Sequence, residues 1–552
     1  MKPQISMTPL AACLMLLTTV PSYAAKPVNL THTALPVLQQ QFLLNLPGMK
    51  QVKAIKMDTL EFIKARTDNN HVKHIRMRQE YQGIPVRGGY AIMHAPASSA
   101  KAMVSSGTPS ATLTGRVYQN LKQDLGEPPV HYRENADNAL AKLKAQFAGL
   151  KISEEHVAPI IYLDDEHKAH WAYKVSFLVT YTDKIPERPT AILDAESYKE
   201  YLQWNDIKTA ETNEARKMRT AVQGTGFGGN VKTGQTFYGK IQPFLSITRS
   251  RFGLCYMENS EVRIVDMLHR YESLNRAMQF RCSKSKELPP DTYWTGYKGD
   301  GLDRANGAYA PSNDALYFGY VIKHMYHDWY GVEVLTKSNG NPMQLVMRVH
   351  YGLGYENAYW DGSRMTFGDG GEMLYPLVSL EIGAHEVSHG FTEQNSNLEY
   401  YGQSGGLNES FSDMASKAAQ YYANGSNTWE VGADIMKEDS GMDAMRYMDM
   451  PSRDGMSIDS ADDYYNGIDV HFSSGVYNRM FYLLATSPNW NPRQAFDVMV
   501  KANMDYWTPY VTFNEASCGV LSAAQDLKLD TQAVKQAMDK VAVNYSACRT
   551  KS

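Results

Sequence analysis

Two histidines four residues apart, with a glutamate beside the first, are the side chains best placed here to do chemistry: Ala384-His385-Glu386-Val387-Ser388-His389. On a helix, positions four apart lie on one face about one turn along, so both imidazoles can reach one cation. Glu386 then projects close to that cation without binding it. Two imidazoles leave a tetrahedral zinc two positions short, and a catalytic site needs one more protein ligand and a water. A third histidine from the same stretch would require Gly at 392 and His at 395; the sequence has Thr392 and Asn395, which excludes that solution. The other common solution is a glutamate from a second helix, and Gly405-Gly406-Leu407-Asn408-Glu409-Ser410-Phe411-Ser412-Asp413 offers Glu409. Asp413, one turn later on the same face, and Asn408 can each accept the outer N–H of a ligating histidine and fix its tautomer. Such a centre performs metal-assisted hydrolysis, with Glu386 taking a proton from zinc-activated water and delivering it to the leaving amine.

Other motifs compete. Gly402-Gln403-Ser404-Gly405-Gly406 has the nucleophile-elbow pattern, so a secreted serine hydrolase using Ser404 is the enzyme alternative, although the strand before it would be short and charged. A non-catalytic secreted binding protein with structural zinc is the alternative from another class. Structural sites are normally closed by four protein ligands, and this one offers three. Gly224-Thr225-Gly226-Phe227-Gly228-Gly229 matches a dinucleotide fingerprint, but no apolar strand precedes it and no helix pattern follows. It reads as a flexible start to a mature domain.

The elements that must position these groups occupy a chain of 552 residues, too long for one core. With 43% hydrophobic and 21% charged residues the composition is that of a soluble globular protein, and a net charge of −4 gives no footprint for nucleic acid or an anionic membrane. Lys2, an apolar stretch over 10–20 and Ser22-Tyr23-Ala24 read as a secretory signal, 1–24. Apart from Cys13 in that signal, the cysteines fall as Cys255/Cys282 and Cys518/Cys548, which in an exported chain favours two local disulfides worth roughly 3 kcal/mol each. Alternation over 74–81 and 171–179 predicts strands, helical spacing over 138–147 a helix, and the polar stretch 208–220 an exposed linker open to proteolysis. Region 222–372 reads as β-rich. Helical patterns cover 313–330, 376–392, 406–422, 473–486, 492–504, 515–526 and 531–541, with Pro376 placed in the first turn of the metal-carrying helix. The fold class is α+β, divided as 25–207, 208–372 and 373–552.

Asn357-Ala358-Tyr359-Trp360, Phe367-Gly368-Asp369-Gly370, the metal helix through Phe391-Thr392-Glu393-Gln394, residues 402–413, Met445-Arg446-Tyr447 and Asp469-Val470-His471-Phe472-Ser473-Ser474-Gly475 together resemble the thermolysin-like zinc metallopeptidases, in their secreted vibriolysin and pseudolysin branch. The resemblance runs from about 225 to the C-terminus, and residues 25–207 resemble the family's propeptide, a folding aid and inhibitor. It implies a two-lobed catalytic domain with the zinc helix between the lobes. Tyr400 and His471 become oxyanion donors, with Asp469 orienting His471. Asn357 and Ala358 meet the substrate backbone, and Arg446 a substrate carbonyl. Leu377, Ile382 and Met445 line the pocket for a large hydrophobic residue just after the cleaved bond. The product is a secreted, monomeric endopeptidase acting on proteins, made as a zymogen. One departure stands out: the family places carboxylates for a structural calcium on the two metal-carrying helices, and here Glu381 faces Lys417 and Gln420, so the expectation is an ion pair in place of that calcium.

Overall fold

The structure, a computed structural model of the chain, describes residues 25–32, 38, 42–45, 58–97, 111–181, 187–206, 219–271, 274–284 and 287–548. The signal and most of the expected linker lie outside the described residues.

The N-terminal unit is built on one twisted sheet. Its first half holds β1 (Asp58–Thr67), β2 (Val72–Tyr81), β3 (Ile84–Pro96) and β4 (Thr112–Gln119), paired antiparallel in the order β1-β2-β3-β4. The alternation predicted for 74–81 is that of β2, which buries Ile75, Met77 and Tyr81. Tyr81 pairs with Ile84 across a two-residue turn in which Gln82 and Gly83 take φ of 50° and 74°, the geometry that suits the right-handed strand twist. α1 (Ala136–Lys144) follows, then β5 (Lys151–Leu163), β6 (Ala169–Thr180), β7 (Pro189–Asp194) and β8 (Glu200–Asn205). The two halves join through one parallel pair, Val86 and Ile161. Ala136, Ala139 and Leu143 of α1 share a core with Ile161, Trp171 and Tyr173.

β9 (Arg219–Asn230) opens the C-terminal region and carries the glycine-rich motif, so the expectation of a flexible start is corrected. Its glycines permit close packing: a Cβ on Gly226 would lie 2.5 Å from Thr295 Oγ1, and one on Gly228 2.2 Å from Asp314 Oδ1. A second sheet of this β-rich lobe contains β10 (Val262–Asp266), then, after the long helix α2 (Pro311–Tyr330), β11 (Leu345–Tyr351), β12 (Ala358–Trp360) and β13 (Arg364–Gly368). The order is β10-β11-β13-β12, which leaves β12 at the edge.

The second lobe is helical: α3 (Leu380–Gln394), α4 (Gly402–Asn424), α5 (Val470–Ser473), α6 (Gly475–Ala485), α7 (Pro492–Asp505), α8 (Phe513–Asp526) and α9 (Thr531–Lys540). α3 starts later than Pro376 suggested. The Ser379 side chain accepts from Ile382 N at 3.2 Å and caps the helix, while Leu377 N donates to Gly368 O and ties the approach to β13. α4 starts earlier than expected, at Gly402, and the helix expected over 473–486 is split at Ser474. One apolar core runs through both lobes, from Ile264 and Met347 to Phe391, Phe411 and Val520. Both expected disulfides, Cys255–Cys282 and Cys518–Cys548, are formed.

The N-terminal unit docks on the helical lobe through polar contacts. Arg66 meets Asp505 at 2.5 Å and Lys501 meets Asp68 at 2.7 Å. Arg76 donates to the carbonyls of Asn503, Met504 and Trp507 at the end of α7, where a cation complements the helix dipole. Arg87 pairs with Glu399 and Arg116 with Glu515.

Candidate active site

α3 and α4 pack side by side, and their facing sides carry the residues singled out by spacing. His385 and His389, one turn apart on α3, aim Nε2 at one point, with the two atoms 3.1 Å apart. Glu409 on α4 closes the triangle: Oε2 is 3.3 Å from His385 Nε2 and Oε1 is 3.4 Å from His389 Nε2. Atoms bound tetrahedrally to zinc at about 2.0–2.1 Å lie roughly 3.3 Å from one another, so the three groups fit that ion. Glu409 Oε2 is buried without a hydrogen bond, a lone pair that suits a cation.

The ring nitrogens facing away are held. His385 Nδ1 lies 2.8 Å from Asp413 Oδ1, and His389 Nδ1 lies 2.8 Å from Asn408 Oδ1. Each acceptor fixes the proton on Nδ1 and leaves Nε2 free to coordinate. Burial lowers the His389 pKa to about 4, so this ring stays neutral, the form that binds a metal. Asp413 is fully buried and accepts three further bonds, from Arg446 Nε at 2.8 Å, Arg446 Nη2 at 2.6 Å and Asn478 Nδ2 at 2.8 Å. Against the cost of burial, Arg446 and His385 hold its carboxyl well below the ordinary range.

Glu386 is directed into the same cleft, and one of its oxygens accepts from Trp360 N at 3.0 Å. Burial raises its pKa, opposed by His385, which moves the carboxylate toward the basicity of a general base. Opposite stand Tyr400 and His471, Tyr400 Oη lying 3.3 Å from His471 Nε2. Tyr400 donates to Glu409 Oε1. Asp469 caps α5 and accepts from His471 Nδ1 at 2.7 Å, turning Nε2 toward the cleft. The charge of Glu409 raises the His471 pKa, against burial and with help from Asp469.

The cleft between the lobes has a volume of about 710 Å³. Each residue predicted as ligand, catalytic group or substrate contact lines it, whereas Asp413 lies behind the ligands. Leu377, Ile382 and Met445 contribute its apolar wall and Asn357 and Ala358 the edge-strand side. Trp204, Asn205 and Asp206, at and just beyond the end of β8, line the same space.

The serine-hydrolase alternative fails on the geometry. Ser404 is no nucleophile: it sits in the first turn of α4, and its hydroxyl donates to the carbonyls of Glu399 and Tyr401 at 2.9 Å. Residues 398–401 form no strand, so the elbow is absent. Nothing in the sequence points to the Trp360 amide or to Asn478. A backbone N–H has no sequence signal, and Asn478 looks like any helix asparagine.

Residues 231–393 match the family model for the thermolysin metallopeptidase catalytic domain, 396–543 that for its α-helical domain, and 58–106 the fungalysin/thermolysin propeptide motif. The chain is 55% identical to a zinc metalloproteinase of Legionella pneumophila over 99% of both chains. It is 55% identical to the zinc metalloproteinase MspA of Legionella longbeachae, over 98% of this chain and 99% of that one. It is 40% identical to the hemagglutinin/proteinase of Vibrio cholerae serotype O1, over 96% of this chain and 80% of that one.

Proposed function

The chain belongs to the thermolysin family of zinc metallopeptidases and carries that family's propeptide motif, and from this premise we propose that it cleaves proteins just before large hydrophobic residues, with His385, His389 and Glu409 as zinc ligands and Glu386 as base. What carries the reading is the meeting of three ligand atoms at tetrahedral spacing beside the half-buried carboxylate of Glu386.

Bound zinc supplies Lewis-acid polarisation of the scissile carbonyl and acidifies a water. Glu386 accepts the proton of the attacking water and hands it to the leaving nitrogen. His471 Nε2 and Tyr400 Oη donate to the oxygen that becomes negative; the charge of Glu409 and the bond from Nδ1 to Asp469 favour the doubly protonated ring, whose Nε2 proton faces substrate. The edge of β12, with Asn357 and Ala358, pairs with an extended substrate backbone. Arg446, steadied by Asp413, serves a substrate carbonyl. An apolar pocket of Leu377, Ile382 and Met445 discriminates by roughly 1–3 kcal/mol per methylene, so specificity is broad. Casein hydrolysis by the mature protein is expected to vanish with o-phenanthroline and return on adding zinc. Activity that survives chelation would remove the reading.

Residues 25–207 act as an inhibitor and are severed from the enzyme within the polar stretch 208–220. In support, Trp204, Asn205 and Asp206 narrow the cleft. Precursor with 208–220 made resistant to cleavage should hydrolyse casein at least about tenfold more slowly than the trimmed form. Equal rates would dismiss the inhibitory role. Export is supported by the N-terminal signal pattern and the two disulfides, and a monomer is the working unit. The calcium between the metal helices is replaced: Lys417, fully buried, donates to the Glu381 carboxylate and to Glu430 O.

A further inference from the structure

His350, near the end of β11, takes φ +57°, a region that L residues other than asparagine, aspartate and histidine seldom enter. Its imidazole is 6% exposed and bridges two carboxylates, Nδ1 2.8 Å from Asp369 Oδ1 and Nε2 2.9 Å from Asp303 Oδ2. Both ring nitrogens face acceptors, so both carry protons and the ring is a cation. A second imidazole, half-exposed His269, lies 3.3 Å from Asp369 Oδ2. None of these groups takes part in the chemistry described above.

What the bracket holds is the turn Gly368-Asp369-Gly370. Gly368 N donates to Asn357 O at 3.1 Å, Gly368 O accepts from Leu377 N at 3.0 Å, and Gly370 N donates to Tyr355 O at 3.0 Å. The backbones are pressed together here, since a Cβ on Gly368 would lie 2.0 Å from Tyr355 O. The turn around Asp369 therefore sets the position of both Asn357, at the start of the edge strand, and Leu377, in the apolar pocket.

We propose that His350 is a positioning residue for substrate binding: clamped between Asp303 and Asp369, it holds Asn357 and Leu377 at the spacing an extended peptide requires. This rests on the reading of those two residues as substrate contacts. A residue that acts this way alters binding of substrate and transition state alike, so it moves KM and leaves kcat nearly untouched.

His350→Gly is the informative variant, because glycine accepts the positive φ without strain and leaves a space of imidazole shape between two carboxylates. In the matured, zinc-loaded enzyme, KM for a peptide with a large hydrophobic residue after the cleaved bond should rise about tenfold with kcat within about twofold. Zinc content should equal that of wild type. Added imidazole should bring KM back toward the wild-type value, each compared with wild type in the same imidazole. Where H350G does not accumulate, Asp303→Asn carries the test, with an expected KM rise of about threefold at unchanged kcat. Unchanged KM in the variant measured, a fall in kcat alone, or no response of H350G to imidazole would overturn the proposal. Asn357→Ala separates it from the underlying reading: if N357A leaves KM unchanged the substrate assignment fails, and if N357A raises KM while H350G does not, only the His350 role fails.

Discussion

Glu386→Gln should give a protein that binds zinc as wild type does and hydrolyses peptides about a thousandfold more slowly. The substitution keeps the shape of the side chain and retains an oxygen for the Trp360 amide, now 3.0 Å from the carboxylate, so the local fold has no reason to change. What it removes is the ability to take a proton. The proposed ligands His385, His389 and Glu409 are untouched, and the outer bonds of the two histidines to Asp413 and Asn408 remain. Metal analysis beside a peptide assay on precursor trimmed in trans by wild-type enzyme measures both halves. A variant that turns over substrate at a near-normal rate would sink the assignment of Glu386 as base. One that loses zinc would mean the carboxylate is a ligand. The same variant separates an enzyme from a zinc-containing binding protein, which would keep its function.

The candidate metal centre is legible in the sequence because every part of it is local and periodic. His385 and His389 share a helix face by their spacing, and Glu409 with Asp413 repeats that logic on the next helix. Their meeting requires only that two adjacent helices pack. Tyr400 and His471 are another matter: one lies on the connection before α4 and the other in the short helix α5, 71 residues apart, and they come together only because both face one cleft. No periodicity records that, so only the family resemblance points to them. The glycine-rich motif reads as a flexible start because glycine suits loose chain, whereas in the fold the same residues are ordered in a strand whose missing side chains let β9 lie against Thr295 and Asp314. Pro376 points to too early a helix start. Proline is compatible with a first turn, but Ser379 supplies an oxygen for the orphan amide of Ile382, and a satisfied amide decides where the helix begins.

Lys417→Ala should lower the stability of the mature enzyme by about 3–5 kcal/mol, since it leaves a buried carboxylate without its counter-ion. Glu381 and Lys417 are 1% and 0% exposed, and burial raises the Glu381 pKa against the pull of Lys417. The ammonium joins two elements, donating to Glu381 on α3 and to the carbonyl of Glu430 beyond α4, while Glu381 also accepts from Gly432 N at 2.9 Å. Alanine breaks both bonds and supplies nothing in return. Lys417→Glu tests the same idea from the other side. It would gather the oxygens of 381, 417 and 420 with the carbonyl of Glu430 around one point, a set of hard donors that calcium favours. Calcium at about a hundred times its dissociation constant should then restore roughly 2.7 kcal/mol to K417E and do no such thing for this site in wild type. Denaturant midpoints of the three proteins with calcium and with EGTA measure it. If K417A unfolds at the wild-type midpoint, or K417E answers to calcium no more than wild type does, the lysine is not standing where a divalent ion would.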